Sequence, residues 1–426
     1  MSLKDKASQI FKPSRYKATK LYAYRGQDLT SVGRSSVATR VNSSGLIEEV
    51  AVNIPRLNYD PEDLSKCPSF LFEESRTNSF TSSEDGSAWE VNGSSVITNA
   101  IKSPDGNNTG NKLTYDGGSY SFARKTYASG AGVFSVFAKR GNHRYVGIRN
   151  SHVSGVHSVF DFDSEKFTLV QSGHTCSFVK YPNGWYRLID YQSVTVSPTS
   201  AYRSICIAGS DGNENGTDVP TDSYVYFWGA QGEFSKVVPS SYIKTTGSSA
   251  TRSNDLDLSI GLSEVGTAVT LYLDYKVKNT NPSRFMYGIF NGNSTSSAPY
   301  AAIYQASTQI LNDGTLYTAA IGGNSDGDKK LVIRIDGTSV SYFLNGKKYS
   351  APSFTNTLSN PYFLINYGID KEQQLTEYLI YPEALSDEDC TSLTSYDDYQ
   401  ELVDRNDLTW ESPTITNNRL TALKEL

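Results

Sequence analysis

One loop of this sequence has oxygen-bearing side chains at the spacing that a calcium ion needs. Asp211, Asn213 and Asn215 stand at alternate positions, Gly216 follows, and Asp222 occupies the twelfth position of the loop. Alternating carboxylate and amide oxygens with a glycine at the sharp turn are features of a Ca²⁺-binding loop. However, the flanking segments have strand patterns rather than helical ones. We therefore interpret the loop first as a Gly/Asp-rich turn, and keep its four ligand positions as a candidate Ca²⁺ site; no other cofactor is expected.

Three aromatic residues could bind carbohydrate. Trp185 and Tyr186 are adjacent, and Trp228 ends a strand-like run. Their rings could stack on the apolar side of a pyranose while Asp, Asn or Arg side chains bind its hydroxyls. Tryptophans that alternate along strands are more often core residues, so burial is the competing interpretation. Both interpretations stay open on the sequence alone.

The residue patterns do not favour hydrolysis. A retaining glycosidase uses two carboxylates roughly 5 to 5.5 Å apart. Asp161 and Asp163 are close together in the run FDFDSE, but this run has the pattern of a strand that enters a turn. The four histidines have no Cys, Asp or Glu at a regular metal-ligand offset, and the motifs HExxH, GxSxG and the P-loop are absent. We therefore expect that the protein is not an enzyme.

Length and composition indicate a large β-rich protein. The 426 residues allow two or three domains, and 29 Tyr and 33 Gly against 2 Met suit strands and turns. No stretch approaches the roughly 18 continuous apolar residues of a membrane span, and the N-terminus lacks the apolar stretch of a signal peptide. We expect a soluble protein with no membrane insertion. The four cysteines are scattered along the chain, which favours buried, reduced thiols.

Beyond its first third, the sequence consists of short alternating runs separated by Gly, Asn, Asp and Ser, which predict antiparallel strands. Runs such as GWYRLIDY (184–191) and YVYFW (224–228) predict a first β-sandwich over 81–255. Both faces of YVYFW are apolar, which places this strand inside a two-sheet stack. The pattern resumes after a Ser/Thr-rich link and predicts a second β-sandwich over 256–395, closed by a helix that begins near Ser386.

The two ends of the chain differ in charge, although the net charge of the whole is −6. Residues 1–40 carry nine Lys or Arg against two acids, whereas residues 383–411 carry ten acids against one Arg. Prolines interrupt residues 41–80. These patterns predict a basic N-terminal arm over 1–40, an extended connector over 41–80 and an acidic tail over 396–426. Apolar residues among the cations of the arm favour a protein partner over nucleic acid.

Several motifs, in order, resemble those of bacteriophage tail-fibre and virion-appendage proteins. TRVNSSGLIEEVAVNIPRLNYDP (39–61) and PSFLFEESRTN (68–78) resemble a connector that leads into a lectin-like module in that family. PNGWYR, WGAQGE, SSYI and the TR pair before Asp255 continue the resemblance. SYFLNGK and IYPEALSDED are similar to the end of concanavalin-A-like or laminin-G-like modules. The resemblance implies a virion structural protein, with a jelly-roll-type fold that binds surface glycans in relatives.

We therefore predict an all-β fold: two tandem jelly-roll-type β-sandwiches, preceded by an extended N-terminal arm and connector and followed by a short helix and a tail. The resemblance implies a fibre, appendage or decoration protein of the virion, assembled in the host cytoplasm. Its sandwiches would face outward for adhesion to host-surface glycans. A purely structural connector packed on other virion proteins is the first alternative, and a polysaccharide-degrading tailspike is the second.

The partners of such a protein would be other virion proteins and a host-surface glycan. Fibres of this kind are commonly trimers, so a homo-oligomer is expected. The arm would attach the protein to the particle. Its candidate attachment residues are Lys12, Arg15, Tyr16, Lys17, Lys20 and Arg25.

Overall fold

The protein consists almost entirely of antiparallel β-structure in a computed structural model. The described residues are 3–11, 16–17, 20–21, 33–118, 120–127, 131–151, 157–193, 201–212, 219–255, 258–278, 285–292, 300–304, 309–312, 315–317, 327–365 and 372–395. They form two β-sandwiches and a short C-terminal helix, which confirms the predicted all-β class. The predicted tail, 396–426, lies outside the described residues. Within the described ranges, no helix is long and apolar enough to cross a membrane.

The part of the chain before the first sandwich contains more regular structure than its prolines indicate. Its elements are α1 (Leu3–Lys6), β1 (Gln9–Phe11), β2 (Tyr16–Lys17), β3 (Lys20–Leu21), β4 (Ala38–Val41), β5 (Ile47–Val50), β6 (Leu57–Asn58), β7 (Ser69–Phe72) and β8 (Arg76–Asn78). β4 and β5 pair as a hairpin, and β6 pairs with β7. These strands have only two to four residues, which is too short for an alternating pattern to be recognised in the sequence. Strands of this length are stabilised by pairing with a neighbouring strand.

The first sandwich has two six-stranded sheets. Its strands are β9 (Glu90–Asn92), β10 (Ser94–Ile101), β11 (Gly110–Tyr115), β12 (Phe122–Tyr127), β13 (Gly132–Arg140), β14 (Tyr145–Ser151), β15 (Ser158–Asp161), β16 (Lys166–Leu169), β17 (His174–Tyr181), β18 (Trp185–Gln192), β19 (Ala201–Ile207) and β20 (Tyr224–Phe234). The order is β10-β11-β20-β13-β18-β17 in the sheet we call the front sheet and β16-β15-β14-β19-β12-β9 in the back sheet. Val136 and Leu188 of the front sheet meet Ile148 and Ile205 of the back sheet in a fully buried core.

The second sandwich begins after β21 (Ala250–Arg252), which pairs with β8. Its strands are β22 (Leu258–Gly261), β23 (Ala268–Lys278), β24 (Phe285–Asn291), β25 (Tyr300–Tyr304), β26 (Gln309–Asn312), β27 (Thr315–Tyr317), β28 (Gly327–Asp336), β29 (Ser339–Leu344), β30 (Lys347–Ala351), β31 (Pro361–Ile365) and β32 (Glu372–Tyr381). One sheet has the order β30-β29-β28-β23-β32-β7-β6, and the other β22-β31-β24-β25-β26-β27. Leu271 and Ile333 of the former pack with Ile289 and Phe363 of the latter.

Two strands from the start of the chain complete the second sandwich. β7 pairs with residues 373–375 of β32, and β1 pairs with residues 378–380 of the same strand. Phe11 is fully buried and stacks on Tyr378, with ring centroids 4.7 Å apart. Within the predicted arm, residues 3–11 thus contribute buried apolar side chains to the second sandwich.

The C-terminal helix α2 (Asp387–Ser395) starts where the sequence predicts it. The Ser386 hydroxyl accepts the backbone N–H of Asp389 at 3.0 Å, which caps the first turn. Cys390 and Leu393 face the protein and pack in one buried cluster with Leu3 of the N-terminal segment. The helix and the start of the chain thus cover the same outer face of the second sandwich.

Candidate functional site

Trp185 and Trp228, two of the predicted sugar-binding residues, lie on the outer face of the front sheet. Both rings are at most 1% exposed, because the β4–β5 hairpin covers this part of the sheet and packs Val41 against them. The Trp185 indole N–H donates to the Lys102 carbonyl at 3.1 Å, and that of Trp228 donates to Thr109 Oγ1 at 3.0 Å. Neither ring has a free face for a sugar. The sugar-binding assignment is corrected: these tryptophans hold the chain's own connector.

Tyr186, the third predicted aromatic, points into the core between the two sheets. Its side chain is 6% exposed and packs against Phe160 and Phe178, with ring centroids 5.1 and 6.0 Å away. Its hydroxyl donates to Glu165 Oε1 at 2.8 Å. Burial raises the pKa of Tyr186, so the phenol stays protonated. Its position between the sheets corrects the sugar-binding assignment here as well.

The predicted calcium loop is described only at its two ends. Asp211 and Asp222 are exposed, while Asn213 and Asn215 lie outside the described residues. Asp222 has a φ of 66°, and its N–H donates to the Tyr115 carbonyl at 2.9 Å, as expected for a turn residue. Within the described part of the chain, no three His, Cys, Asp or Glu side chains come together as a metal site requires. Calcium binding here stays a prediction.

The two aspartates of FDFDSE, Asp161 and Asp163, are bound by arginines. Arg144 donates to both oxygens of Asp161, each at 2.7 Å, and Arg140 and Arg144 both pair with Asp163. The hydrogen bonds from Arg144 hold the pKa of Asp161 well below its usual range. This arrangement fits a structural role for both carboxylates. The absence of hydrolytic activity stays a prediction.

A buried polar group that the sequence analysis did not single out lies between the sheets of the first sandwich. His174 Nδ1 and Asp190 Oδ1 are 2.7 Å apart, and Cys176 is directly opposite Asp190 across the β17–β18 pair. Burial and the Asp190 carboxylate raise the pKa of the Cys176 thiol to about 12. A thiol that remains protonated is a poor nucleophile.

Cys67, by contrast, is exposed, which corrects the expectation that all four thiols are buried.

A buried ionic network joins the connector to the segment between the sandwiches. Arg56 pairs with Glu73 at 2.6 Å and also with Asp255, which accepts a second arginine, Arg34, at 2.7 Å. Arg252 lies 3.4 Å from Glu73. All five side chains are at most 1% exposed. Burial of so many charges is tolerated because each guanidinium faces at least one carboxylate.

The motifs that resemble phage appendage proteins converge on this network. PSFLFEESRTN contributes Glu73, SSYI contributes Ser241, and the TR pair and the acid after it contribute Arg252 and Asp255. Ser241 donates both its backbone N–H and its hydroxyl to Glu73, each at 2.6 Å. Glu73, Ser241, Arg252 and Asp255 of these motifs therefore have a structural role: they hold the connector against the segment between the sandwiches.

A cleft of about 470 Å³ lies between the connector, the outer face of β17 and β18, and the segment 237–242. Ile189 and Tyr191 contribute to its lining, and Lys276 and Gln374 of the second sandwich border it. Arg187 reaches into this region, but its donors are bound to Ser135 Oγ and the Ser240 carbonyl. The volume of the cleft suits a small ligand. The Arg187 guanidinium, however, already donates to groups of the protein itself.

The front sheet also has a part that the connector leaves uncovered. Ile97, Lys112, Tyr226 and Lys139 lie side by side on four neighbouring strands, as the pairs Ile97–Lys112, Lys112–Tyr226 and Tyr226–Lys139 show. Ile97 is 56% exposed, and the other three are half-buried. Tyr224 lies one row further along the same face, with its ring centroid 5.5 Å from that of Tyr226. We call these five residues the tyrosine–lysine face.

Local contacts fix the orientation of the tyrosine–lysine face. Lys112 Nζ lies 3.9 Å from the centroid of the Tyr224 ring, and Lys139 Nζ donates to the Asn183 carbonyl at 2.5 Å. Gly141 leaves room for Tyr224, since a Cβ there would meet its ring at 2.3 Å. Partial burial and the neighbouring Tyr224 raise the pKa of Tyr226, so its hydroxyl remains a donor.

The alternating pattern of YVYFW (224–228) predicts part of the tyrosine–lysine face. It places Tyr224, Tyr226 and Trp228 on one side of the strand, and the structure has them there. The sequence analysis expected that entire side to be buried. The connector covers Trp228 and leaves the two tyrosines half-exposed, while the lysines come from other strands and have no local signal.

The predicted attachment residues are only partly described. Lys12, Arg15 and Arg25 lie outside the described residues. The backbone of Tyr16, Lys17 and Lys20 belongs to the short β2–β3 pair. Their role in virion attachment stays a prediction.

Comparison with known proteins gives similarities of fold only. No family model matches the sequence, and no curated protein matches it either. A Ruminococcus gnavus IT-sialidase CBM40 bound to α2,3-sialyllactose is 15% identical, with 33% of this chain and 98% of that chain covered and a TM-score of 0.24. The leech intramolecular trans-sialidase complexed with 2,7-anhydro-Neu5Ac is 20% identical (34% and 27% covered, TM-score 0.24). A heptameric SAP-like pentraxin from Limulus polyphemus is 11% identical (32% and 72%, 0.23). At these TM-scores the similarities carry no functional assignment.

Proposed function

We propose that this chain binds glycans through its first sandwich, and that the tyrosine–lysine face is the binding surface. The observation that carries the proposal is the pair of half-exposed rings, Tyr224 and Tyr226, on the part of the front sheet that the connector leaves open. Ring faces bind the apolar side of a sugar, and neighbouring polar groups bind its hydroxyls. Lys112 and Lys139 supply such groups, whereas the amide of Asn142 at the edge of this face already accepts the Tyr224 N–H and donates to the Asp222 carbonyl.

We further propose that the protein is a structural component of a phage virion, with the sandwiches as outward-facing adhesion modules and without hydrolysis of the glycan. The resemblance of residues 39–78 to virion-appendage connectors supports this role. The basic composition of 1–40 supports attachment to another virion protein, and assembly as a homo-oligomer follows from the same resemblance.

A purely structural connector is the second candidate. The buried network around Arg56 and Asp255 supports it, because a joint held by paired buried charges keeps the connector in one position on the sandwich. In that case the tyrosine–lysine face would pack on a neighbouring virion protein.

Binding of the full chain to an array of bacterial surface polysaccharides tests the glycan proposal. We expect that Tyr224→Ala and Tyr226→Ala each weaken binding by about 5- to 150-fold, by analogy with nucleic-acid bases, whose stacking on an aromatic side chain contributes roughly 1–3 kcal/mol. Tyr349→Ala is the matched control: Tyr349 is a half-buried tyrosine on the second sandwich, with Lys347 Nζ 5.1 Å from its ring centroid. Equal binding by all variants would place the glycan site elsewhere. Failure of the unmodified chain to bind any polysaccharide would favour the connector.

A further inference from the structure

We infer that the glycan recognised by the tyrosine–lysine face is an acidic polysaccharide whose carboxylates are bound by Lys112 and Lys139. This inference rests on the proposed function and names its ligand class. It starts from the register of three strands. Tyr226 is directly opposite Lys112 on one side and Lys139 on the other, so the tyrosine ring stands between two cations.

Both lysines keep their charge available for a ligand. Lys112 lies over a neutral ring, and Lys139 donates to a backbone carbonyl. Two other cations at the surface of the first sandwich differ in this respect, since Arg124 pairs with Glu90 and Lys180 with Glu165. Within the described ranges, neither Lys112 nor Lys139 has such a carboxylate partner.

The spacing suits a polymer chain. Lys112 and Lys139 lie on strands separated by β20, so their backbones are about 10 Å apart. This is close to the span of two consecutive sugar rings. A carboxylate on every second sugar would therefore meet one lysine after the other, with a ring on Tyr226 between them.

The surrounding charges restrict the direction of the ligand. Asp116 follows β11, and Asp222 lies two residues before β20, so both acids lie at the same end of these two antiparallel strands, beyond the Tyr224 row. A polymer that ran along the strands would approach these acids. Repulsion by these acids therefore favours binding of an acidic polymer across the strands, along the row that runs from Lys112 to Lys139.

The test compares polysaccharides that differ only in charge. Hyaluronan, polygalacturonate, alginate and polysialic acid are each measured for binding to the full chain beside their carboxyl-reduced derivatives. We expect at least one acidic polymer to bind at least tenfold tighter than its reduced form, and added salt to remove that difference. Lys112→Gln and Lys139→Gln should each weaken binding about threefold, and the double variant about tenfold.

Lys347→Gln is the matched control, because Lys347 also lies near a tyrosine ring but on the second sandwich. Its binding should equal that of the unmodified chain. If the reduced polymers bind as tightly as the acidic ones and Tyr226→Ala still abolishes binding, the acidic ligand is wrong while the proposed function stands. If none of these polymers binds while a polysaccharide of the bacterial array does, the acidic ligand is again wrong; if no polysaccharide in either test binds, both proposals fail.

Discussion

Arg34 Nη1 donates to Asp255 Oδ1 at 2.7 Å, although 221 residues separate the two along the chain. The contact ties the end of the N-terminal arm to the segment that enters the second sandwich. Arg34 also donates to the carbonyls of Ala51 and Ile54, which fixes the loop after β5. One guanidinium thus links the connector hairpin to the interdomain segment.

Removal of Arg56 should strongly destabilise this joint. Arg56→Met leaves the buried carboxylates of Glu73 and Asp255 with a guanidinium fewer, and loss of one partner of a buried ion pair costs about 3–5 kcal/mol. Urea unfolding followed by tryptophan fluorescence should show the first transition at lower urea. Lys180→Gln, which removes an exposed partner of Glu165, should have only a small effect. A midpoint for Arg56→Met equal to that of Lys180→Gln would contradict this prediction.

The same network should make the protein sensitive to acid. Burial disfavours the Glu73 carboxylate, but the charges of Arg252 and Arg56 and the hydrogen bonds from Ser241 outweigh it, so the pKa of Glu73 lies well below its usual 4.5. A lowered folded-state pKa stabilises the protein above the unfolded-state pKa, and this contribution is lost as the pH falls below about 4.5.

Thermal unfolding between pH 7 and pH 3 measures this effect. We expect the melting temperature to fall below about pH 4.5. Glu73→Gln should be less stable at pH 7 and should show a smaller decrease on acidification. An unchanged pH dependence in Glu73→Gln would assign the acid sensitivity to other groups.

Gly141 should control the tyrosine–lysine face. In Gly141→Ala the new Cβ would lie 2.3 Å from the ring and the carbonyl oxygen of Tyr224, so the tyrosine has to move. We expect polysaccharide binding to weaken as much as in Tyr224→Ala, while circular dichroism shows the β-fold retained. Gly266→Ala is the control, because a Cβ at that position meets nothing within 4 Å. Unchanged binding in Gly141→Ala would show that the position of Tyr224 does not matter.

The N-terminal segment should stabilise the second sandwich. Phe11→Ala removes a fully buried ring that stacks on Tyr378, and such truncations cost about 3–5 kcal/mol. Hydrogen exchange of β32 should accelerate at residues 378–380, where β1 pairs. Exchange of β13 in the first sandwich serves as the internal reference. Equal protection of β32 in both proteins would mean that β1 is dispensable.

The sandwiches could be predicted because each of their longer strands contains its own pattern. In β20, Val225 and Phe227 face the core and Tyr224 and Tyr226 the other side, as the alternation requires. The cap at Ser386 was predictable for the same reason, since its partner Asp389 is three residues away.

The tyrosine–lysine face and the joint could not be predicted, because their components are distant in sequence. Trp228 is covered by Val41 of the β4–β5 hairpin, which lies almost 190 residues earlier in the sequence, whereas Tyr226 of the same strand remains half-exposed. Likewise, the partners of Asp255 are Arg34 and Arg56, and no local spacing relates them. The sequence analysis singled out Trp185, Tyr186 and Trp228, which are all buried, because the sequence does not show which part of the front sheet the connector covers.

The pairing of β1 and β7 with β32 also determines when the protein can finish folding. About 300 residues must be synthesised between β7 and β32, which takes roughly 15–60 s at 5–20 residues per second. During this time Phe11, Phe70 and Phe72 lack the β32 strand against which they are buried in the final fold. β1 and β7 thus leave the ribosome well before the strand on which both of them pair. Their hydrophobic residues need protection from aggregation throughout synthesis.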